Sequence, residues 1–176
     1  AMMVGFPGPH CPYDPPEDFP EVFLPDTMPA SIPEAEGDTP LLRQNNIDGN
    51  RGPWNGVDYT KFTEEHKKKI RAHYAGLVKG IDYEVGLILE SLQAKGVLDN
   101  TIIIFATDHA DYLGDHNLIG KASFYETCMN IPLLVRVPGM KPTISNELVE
   151  LRDVTATMLA FAGVDRPENM DSRTLP

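Results

Sequence analysis

Apolar positions divide the chain into two unequal parts. From Thr63 onward they recur at Ile70, Tyr74, Leu77, Val78, Ile81, Val85, Ile88, Leu89 and Leu92, a spacing of three and four that lines one face of a helix. Glu64 and Glu65 suit the N-terminus of that helix, where the backbone dipole favours negative charge. Gly96 suits the position just past its end. The pattern therefore predicts one helix of about 30 residues. Gly76, Gly80 and Gly86 weaken it, and close packing against a neighbour would account for them.

The pattern then changes period. Asp99-Asn100 reads as a turn, and Thr101 to Ala106 is a continuous apolar, β-branched run, the mark of a strand covered on both faces. Ile131 to Val137 reads as a second strand, stopped by Pro138-Gly139. Glu147 to Gly163 reads as a last helix, with Asp153 a plausible N-cap if the regular part starts there. Helix, strand, strand and helix in this order predict an α/β fold, part of a mostly parallel sheet flanked by helices. Ligands in such sheets sit beyond the carboxyl ends of strands, and Asp108 and His109 occupy that place after 101–106.

Residues 1–62 show no period. "PGPHCPYDPPEDFPEVF" carries six prolines, which exclude a helix or an interior strand and leave a stiff loop able to hold a side chain in place. "DTMPASIPEAEGDTPLL" and "QNNIDGNRGPWNG" read as more loop, with Trp54 a candidate anchor. Irregular stretches this long are usually functional or disordered. We read the 176 residues as one partial domain, a proline-rich loop region at 1–62 and a helix-strand-loop-strand-helix portion at 63–176.

Composition narrows the function. Hydrophobic residues at 41% and charged residues at 23% fit a globular chain with a real core. A net charge of −11 argues against broad nucleic-acid or anionic-membrane binding. An anionic substrate would need local positive charge from a metal, a lysine or histidines. Cys11 and Cys128 match no zinc spacing and read as two unpaired thiols. No apolar run reaches the length of a membrane span, and the first ten residues lack the features of a signal peptide. Both ends look cut from a longer chain.

The candidate chemistry lies in "TDHADYLGDHNLIGK". A carboxylate and an imidazole side by side at a strand end, Asp108 and His109, can share a metal, although the same pair could simply begin a polar turn. Lys121, thirteen residues after Asp108, could grip an oxyanion or be a solvated surface lysine. His10, held in the stiff "GPHCP" stretch, could face a ligand or cap the surface. His116 reads as a surface group or one behind the ligands, Asp111 and Asp115 as solvated or capping carboxylates, and Tyr125 and Glu126 as packing or pairing groups.

Taken together and in order, "PHCPYDPP", "TDHADYLGDHNLIGK", "FYETCMNIPLLVRVPG" and "LRDVTATMLAFAGVDRPENMDSRTL" resemble the sulfatase family of the alkaline-phosphatase superfamily, with the nearest likeness to its choline-sulfatase and phosphonate monoester hydrolase branch. The resemblance implies an alkaline-phosphatase-like sheet and makes 1–62 an active-site loop region. It implies that Asp108 and His109 ligate a divalent cation, calcium first, manganese or zinc otherwise. It implies that Lys121 contacts the sulfate and helps the leaving oxygen, and that His10 faces the sulfate or the leaving group. It further implies a formylglycine nucleophile made from a Cys/Ser-x-Pro/Ala-x-Arg motif, which these 176 residues do not contain: Cys11 reads "CPYDP" and Cys128 reads "CMNIP".

The expected function is thus a fragment of a metal-dependent sulfatase acting on a sulfate-ester small molecule or a sulfated glycan, without turnover on its own. A phosphonate or phosphate ester hydrolase, or a non-catalytic binding fragment, is the alternative. Two departures from the family pattern stand out. Ala110 replaces the usual glycine after Asp-His, and Asp171-Ser172 replaces a usual Asp-Gly. A sheet short of strands should also expose an apolar edge and favour self-association into a homo-oligomer.

Overall fold

The structure, a computed structural model, describes all residues except 17–22, 35, 38 and 52–57, and of residues 51 and 60 the backbone only. Trp54 lies outside the described residues. Two compact units are present, Ala1–Val135 and Arg136–Pro176.

In the first unit the long helix, α2 (Glu64–Ala94), has the expected length, 31 residues. Thr63 caps it: its hydroxyl accepts from the His66 amide while the His66 ring accepts from the Thr63 amide. At the other end Gly96 adopts φ +66, its amide bonds the Gln93 carbonyl, and the Val97 amide reaches back to Leu92. That pair of bonds satisfies carbonyls the helix leaves open. The apolar face is half-buried along its length except at Val78, which is exposed. Gly76 is buried, but nothing lies within 4 Å of a Cβ built at Gly86, so close packing does not account for that glycine.

A helix also forms where loop was expected: α1 (Leu41–Arg51). It escapes an apolar-period search because most of the residues it turns inward are polar. Arg43 is buried and pairs with Glu34, Asn50 is buried and accepts from the Ile119 amide, and Ile47 packs on the core. Tertiary contacts stabilise this helix more than its Asn-rich sequence does.

The strands are shorter than the apolar runs suggest. Strand β1 (Ile103–Ala106) pairs with β2 (Leu133–Arg136). Strand β1 is not covered on both faces: Phe105 is 37% exposed and Ala106 is exposed as well. The described residues supply it one strand neighbour in the sheet, and the layers packed over its faces leave Phe105 and Ala106 open.

The deepest burial lies in the loop after β1 rather than in the sheet. Tyr112, Leu118 and Cys128 form the core cluster, with Ile47 and Tyr125 packed on it. The short helix α3 (Glu126–Met129) carries Cys128 into it. Tyr125 packs as expected, edge-on to Tyr112 and stacked on His116 at 4.0 Å, while Glu126 stays exposed and accepts from Asn130.

In the second unit, α4 spans Leu151–Phe161. Its N-cap is Glu150, not Asp153. Asp153 is the third helical residue and accepts from the Glu150 amide, while the Glu150 side chain accepts from the Asp153 amide. The helix starts three residues earlier than Asp153 as cap would allow, because this reciprocal pair satisfies both amides. Asp153 also accepts from the Arg173 amide, and these backbone donors hold its carboxyl below the ordinary range. Gly163, at φ +67, closes α4 as Gly96 closes α2.

Candidate functional site

Four stretches of the first unit meet in one cleft of about 170 Å³: Phe6 to His10, Tyr74 on α2, Thr107 to Asp111, and Lys121. His10, Asp108, His109 and Lys121 all line it. Residues separated by up to 111 positions therefore share one space.

The proline-rich loop is pinned to α2. His73 donates to the Tyr13 carbonyl, and the Tyr13 ring packs edge-on to Tyr74 at 6.3 Å. The peptide bonds before Pro9 and Pro12, on either side of His10, are cis. Between β1 and α3 the chain folds back on itself: the Tyr112 amide bonds Gly120, the Gly114 amide bonds Leu118, and the Ala110 amide bonds Cys128. Positive φ at Leu113, Gly114, His116, Asn117, Gly120 and Ala122 gives this fold-back its sharp course. Ala110 is not among them, so its side chain does not disturb the turn after Asp108-His109.

Both histidine tautomers follow from partner chemistry. His10 Nδ1 lies 2.7 Å from the Cys11 carbonyl, which only accepts, so Nδ1 carries the proton. His10 Nε2 lies 2.6 Å from Lys121 Nζ, an ammonium that only donates, so Nε2 accepts. His109 Nδ1 donates to the Ala110 carbonyl at 3.0 Å, which leaves a lone pair on Nε2. That lone pair faces Asp108 Oδ2 at 3.3 Å. A proton on Nε2 or a bound cation would each satisfy the two, so the pair has the chemistry to serve as metal ligands. Burial works against the Asp108 charge, but hydrogen bonds from the His109 amide and Thr107 help to hold the carboxyl below its usual range. The Asp108 side chain is 79% exposed and so open to a ligand. Among the described residues no group of three or more His, Cys, Asp or Glu side chains gathers around one point. Asp108 and His109 thus fit as two ligands of a cation whose others are not among those side chains.

Other expectations resolve differently. Of the two readings for Asp111 and Asp115, solvated or capping, the structure fits the second: both are half-buried and accept from backbone amides. Asp111 accepts from Tyr13, Leu113 and Gly120, and Asp115 accepts from Arg71 and the Ile32 amide. His116 does not line the cleft. It lies under Tyr125, and its Nδ1 is buried without a partner among the described residues. The thiols are unpaired, as expected, with Cys11 half-exposed and Cys128 buried. Tyr74, Phe6 and Thr107 line the cleft without having been singled out. Tyr74 sits on the apolar face of α2 and looks like any core residue, whereas Thr107 could have been suspected from its place between strand and ligand pair. In the second unit Asp171 accepts from Arg152, and the Ser172 carbonyl accepts from Arg166, so the Asp-Ser pair is held without a glycine.

The cleft thus brings a carboxylate, two imidazoles and an ammonium together, and comparison with known proteins gives the chain a family. The sulfatase family model matches residues 1–164, and the chain belongs to that family. An arylsulfatase of Clostridium perfringens is 30% identical over 99% of this chain and 36% of its own length. A multifunctional alkaline phosphatase superfamily protein of Trinickia caryophylli is 32% identical over the same shares. Among solved structures, a phosphonate monoester hydrolase from Silicibacter pomeroyi superposes with a TM-score of 0.79 at 27% identity, over 95% of this chain and 34% of that one. The chain therefore has the α/β fold of these hydrolases and spans about a third of their length. Sulfatases are hydrolases that generally use a divalent metal.

Proposed function

We propose that the cleft holds the sulfuryl group of a sulfate ester, with its cation on Asp108 and His109 and its oxygens against Lys121 and His10. The observation that carries this reading is the convergence of those four side chains on one cleft, with the Nε2 of His10 against Lys121 and that of His109 against Asp108. Ester cleavage builds negative charge on the nonbridging oxygens and on the leaving oxygen. A divalent cation, calcium in our reading and manganese or zinc as alternatives, would withdraw charge from the first set. Lys121 Nζ, a compact positive charge beside the same space, stabilises those oxygens without reorganising. His10 passes a proton: once Nε2 has taken one from solvent, the imidazolium delivers it to the departing alkoxide and returns to the neutral ring, while Lys121 keeps its own charge. Nδ1, bonded to the Cys11 carbonyl, fixes the ring orientation for that transfer.

The family's nucleophile motif does not occur in these 176 residues. We propose that the chain alone binds without turning over, and that hydrolysis belongs to a full-length enzyme carrying this segment. Its substrate would be a sulfated small molecule or glycan. The alternative, a phosphonate or phosphate ester, is favoured by the superposition on the phosphonate monoester hydrolase. Matched sulfate and phosphonate monoesters of 4-nitrophenol, offered to the full-length enzyme, decide between the two. In that enzyme Lys121→Met or Asp108→Ala should lower kcat/KM by about a hundredfold or more. Variants that match wild type would remove these residues from the chemistry.

A further inference from the structure

We propose that Asp111 is a positioning residue that sets the spacing between Lys121 and His10. The inference rests on the reading that those two groups hold the substrate's oxyanion. Asp111 lines the cleft, but both carboxylate oxygens are already engaged. Oδ1 accepts from the Leu113 amide at 3.0 Å and the Gly120 amide at 3.1 Å, and Oδ2 accepts from the Tyr13 hydroxyl at 2.7 Å. These donors come from three segments. Leu113 belongs to its own turn, Gly120 directly precedes Lys121, and Tyr13 follows His10 by three residues in the loop that α2 pins.

One carboxylate therefore joins the stretch that delivers Lys121 to the loop that delivers His10. Ala122, at φ +96, follows Lys121 with a left-handed backbone that a non-glycine residue keeps only under outside restraint. The Gly120 amide bond to Asp111 is such a restraint, placed one residue from the lysine. Tyr13 is otherwise held through its carbonyl and its ring face, so its hydroxyl is the contact that transmits position across the cleft. Asp111 acts through other residues and needs no contact with substrate.

The test reads the His10 tautomer in the ligand-free 176-residue chain by side-chain nitrogen NMR. Lys121 donating to Nε2 makes Nδ1–H the major neutral form in wild type. Lys121→Met should shift the tautomer ratio toward Nε2–H by about tenfold, the weight of one charge-assisted hydrogen bond. Asp111→Ala should shift it comparably, Tyr13→Phe by about threefold, and the double variant Asp111→Ala/Lys121→Met no further than Lys121→Met alone. Asp111→Asn keeps an oxygen for both amides and should stay within about twofold of wild type. If Lys121→Met shifts the ratio while Asp111→Ala and Tyr13→Phe leave it unchanged, or if the double variant is additive, the positioning role is refuted and the functional reading survives. If Lys121→Met itself changes nothing, the functional reading falls and the inference falls with it. Should Asp111→Ala fail to fold, Tyr13→Phe carries the same decision.

Discussion

Gly114 sits where the site loop meets α2. It adopts φ +94, and a Cβ added there would lie 2.7 Å from Lys67 Cγ, 2.8 Å from Cδ and 2.9 Å from Cβ. The last of these atoms is fixed to the helix backbone, so no rotation of the lysine side chain relieves the clash. Lys67 is itself buried and bonded to Glu64 at 2.8 Å, which limits its retreat. Gly114→Ala therefore adds backbone strain of about 1–3 kcal/mol to an overpacking cost of about 1–3 kcal/mol. A net loss of about 3–4 kcal/mol should lower Tm by roughly 6–15 °C for a chain of this size. Gly86→Ala makes the same chemical change in the helix interior, where nothing lies within 4 Å of the new atom. It should gain about 0.5–1 kcal/mol. Parallel thermal unfolding followed by circular dichroism measures both. Gly114→Ala within about 1 kcal/mol of wild type, or a Gly86→Ala loss as large as that of Gly114→Ala, would refute the close approach of loop and helix.

Two further outcomes follow from titratable groups. Burial pushes the Cys128 thiol up to about 11, against a hydrogen bond with Tyr112 that works the other way. At pH 8 iodoacetamide should therefore label half-exposed Cys11 at least about a hundredfold faster than Cys128, as read by timed mass spectrometry, and equal rates would contradict the buried assignment. Lys67 first, then Ser31, hold the Glu64 carboxyl down to about 2 from an ordinary 4.5. A depressed carboxylate contributes stability that is present above 4.5 and lost as pH falls toward 2. The Tm gap between wild type and Glu64→Gln should thus be full near pH 6 and close between pH 4.5 and 2, and a gap that widens on acidification would contradict it.

What the sequence made legible, and what it did not, divides along physical lines. Periodic apolar faces and glycine stops placed α2 nearly to the residue, because its half-buried stripe and its closing motif are local signals. Helix α1 was missed because Arg43 and Asn50 turn polar groups inward, and only their distant partners, Glu34 and Ile119, reveal that. The coverage of β1 was overestimated because an apolar run records what a strand prefers, not which neighbours are present. The four site residues were individually ambiguous, since a histidine among prolines or a lysine after a glycine carries no address. Their order along the chain supplied the grouping, and the cleft shows it as geometry. The Asp111 hub was not legible at all: three donors from three segments leave no periodicity, spacing or composition to read.

The central claim is that a cation site at 108–109 and an anion site at 121 and 10 share one ligand. Its most direct test is a titration of the 176-residue chain with sodium sulfate in the presence and absence of calcium, following the side-chain NMR signals of His10, His109, Asp108 and Lys121. With calcium present, all four should move along one saturation curve with a single midpoint, and omission of calcium should weaken the sulfate response of Lys121 and His10. Signals at 108 and 109 that follow calcium alone, with no change in sulfate affinity at 121 and 10, would contradict it.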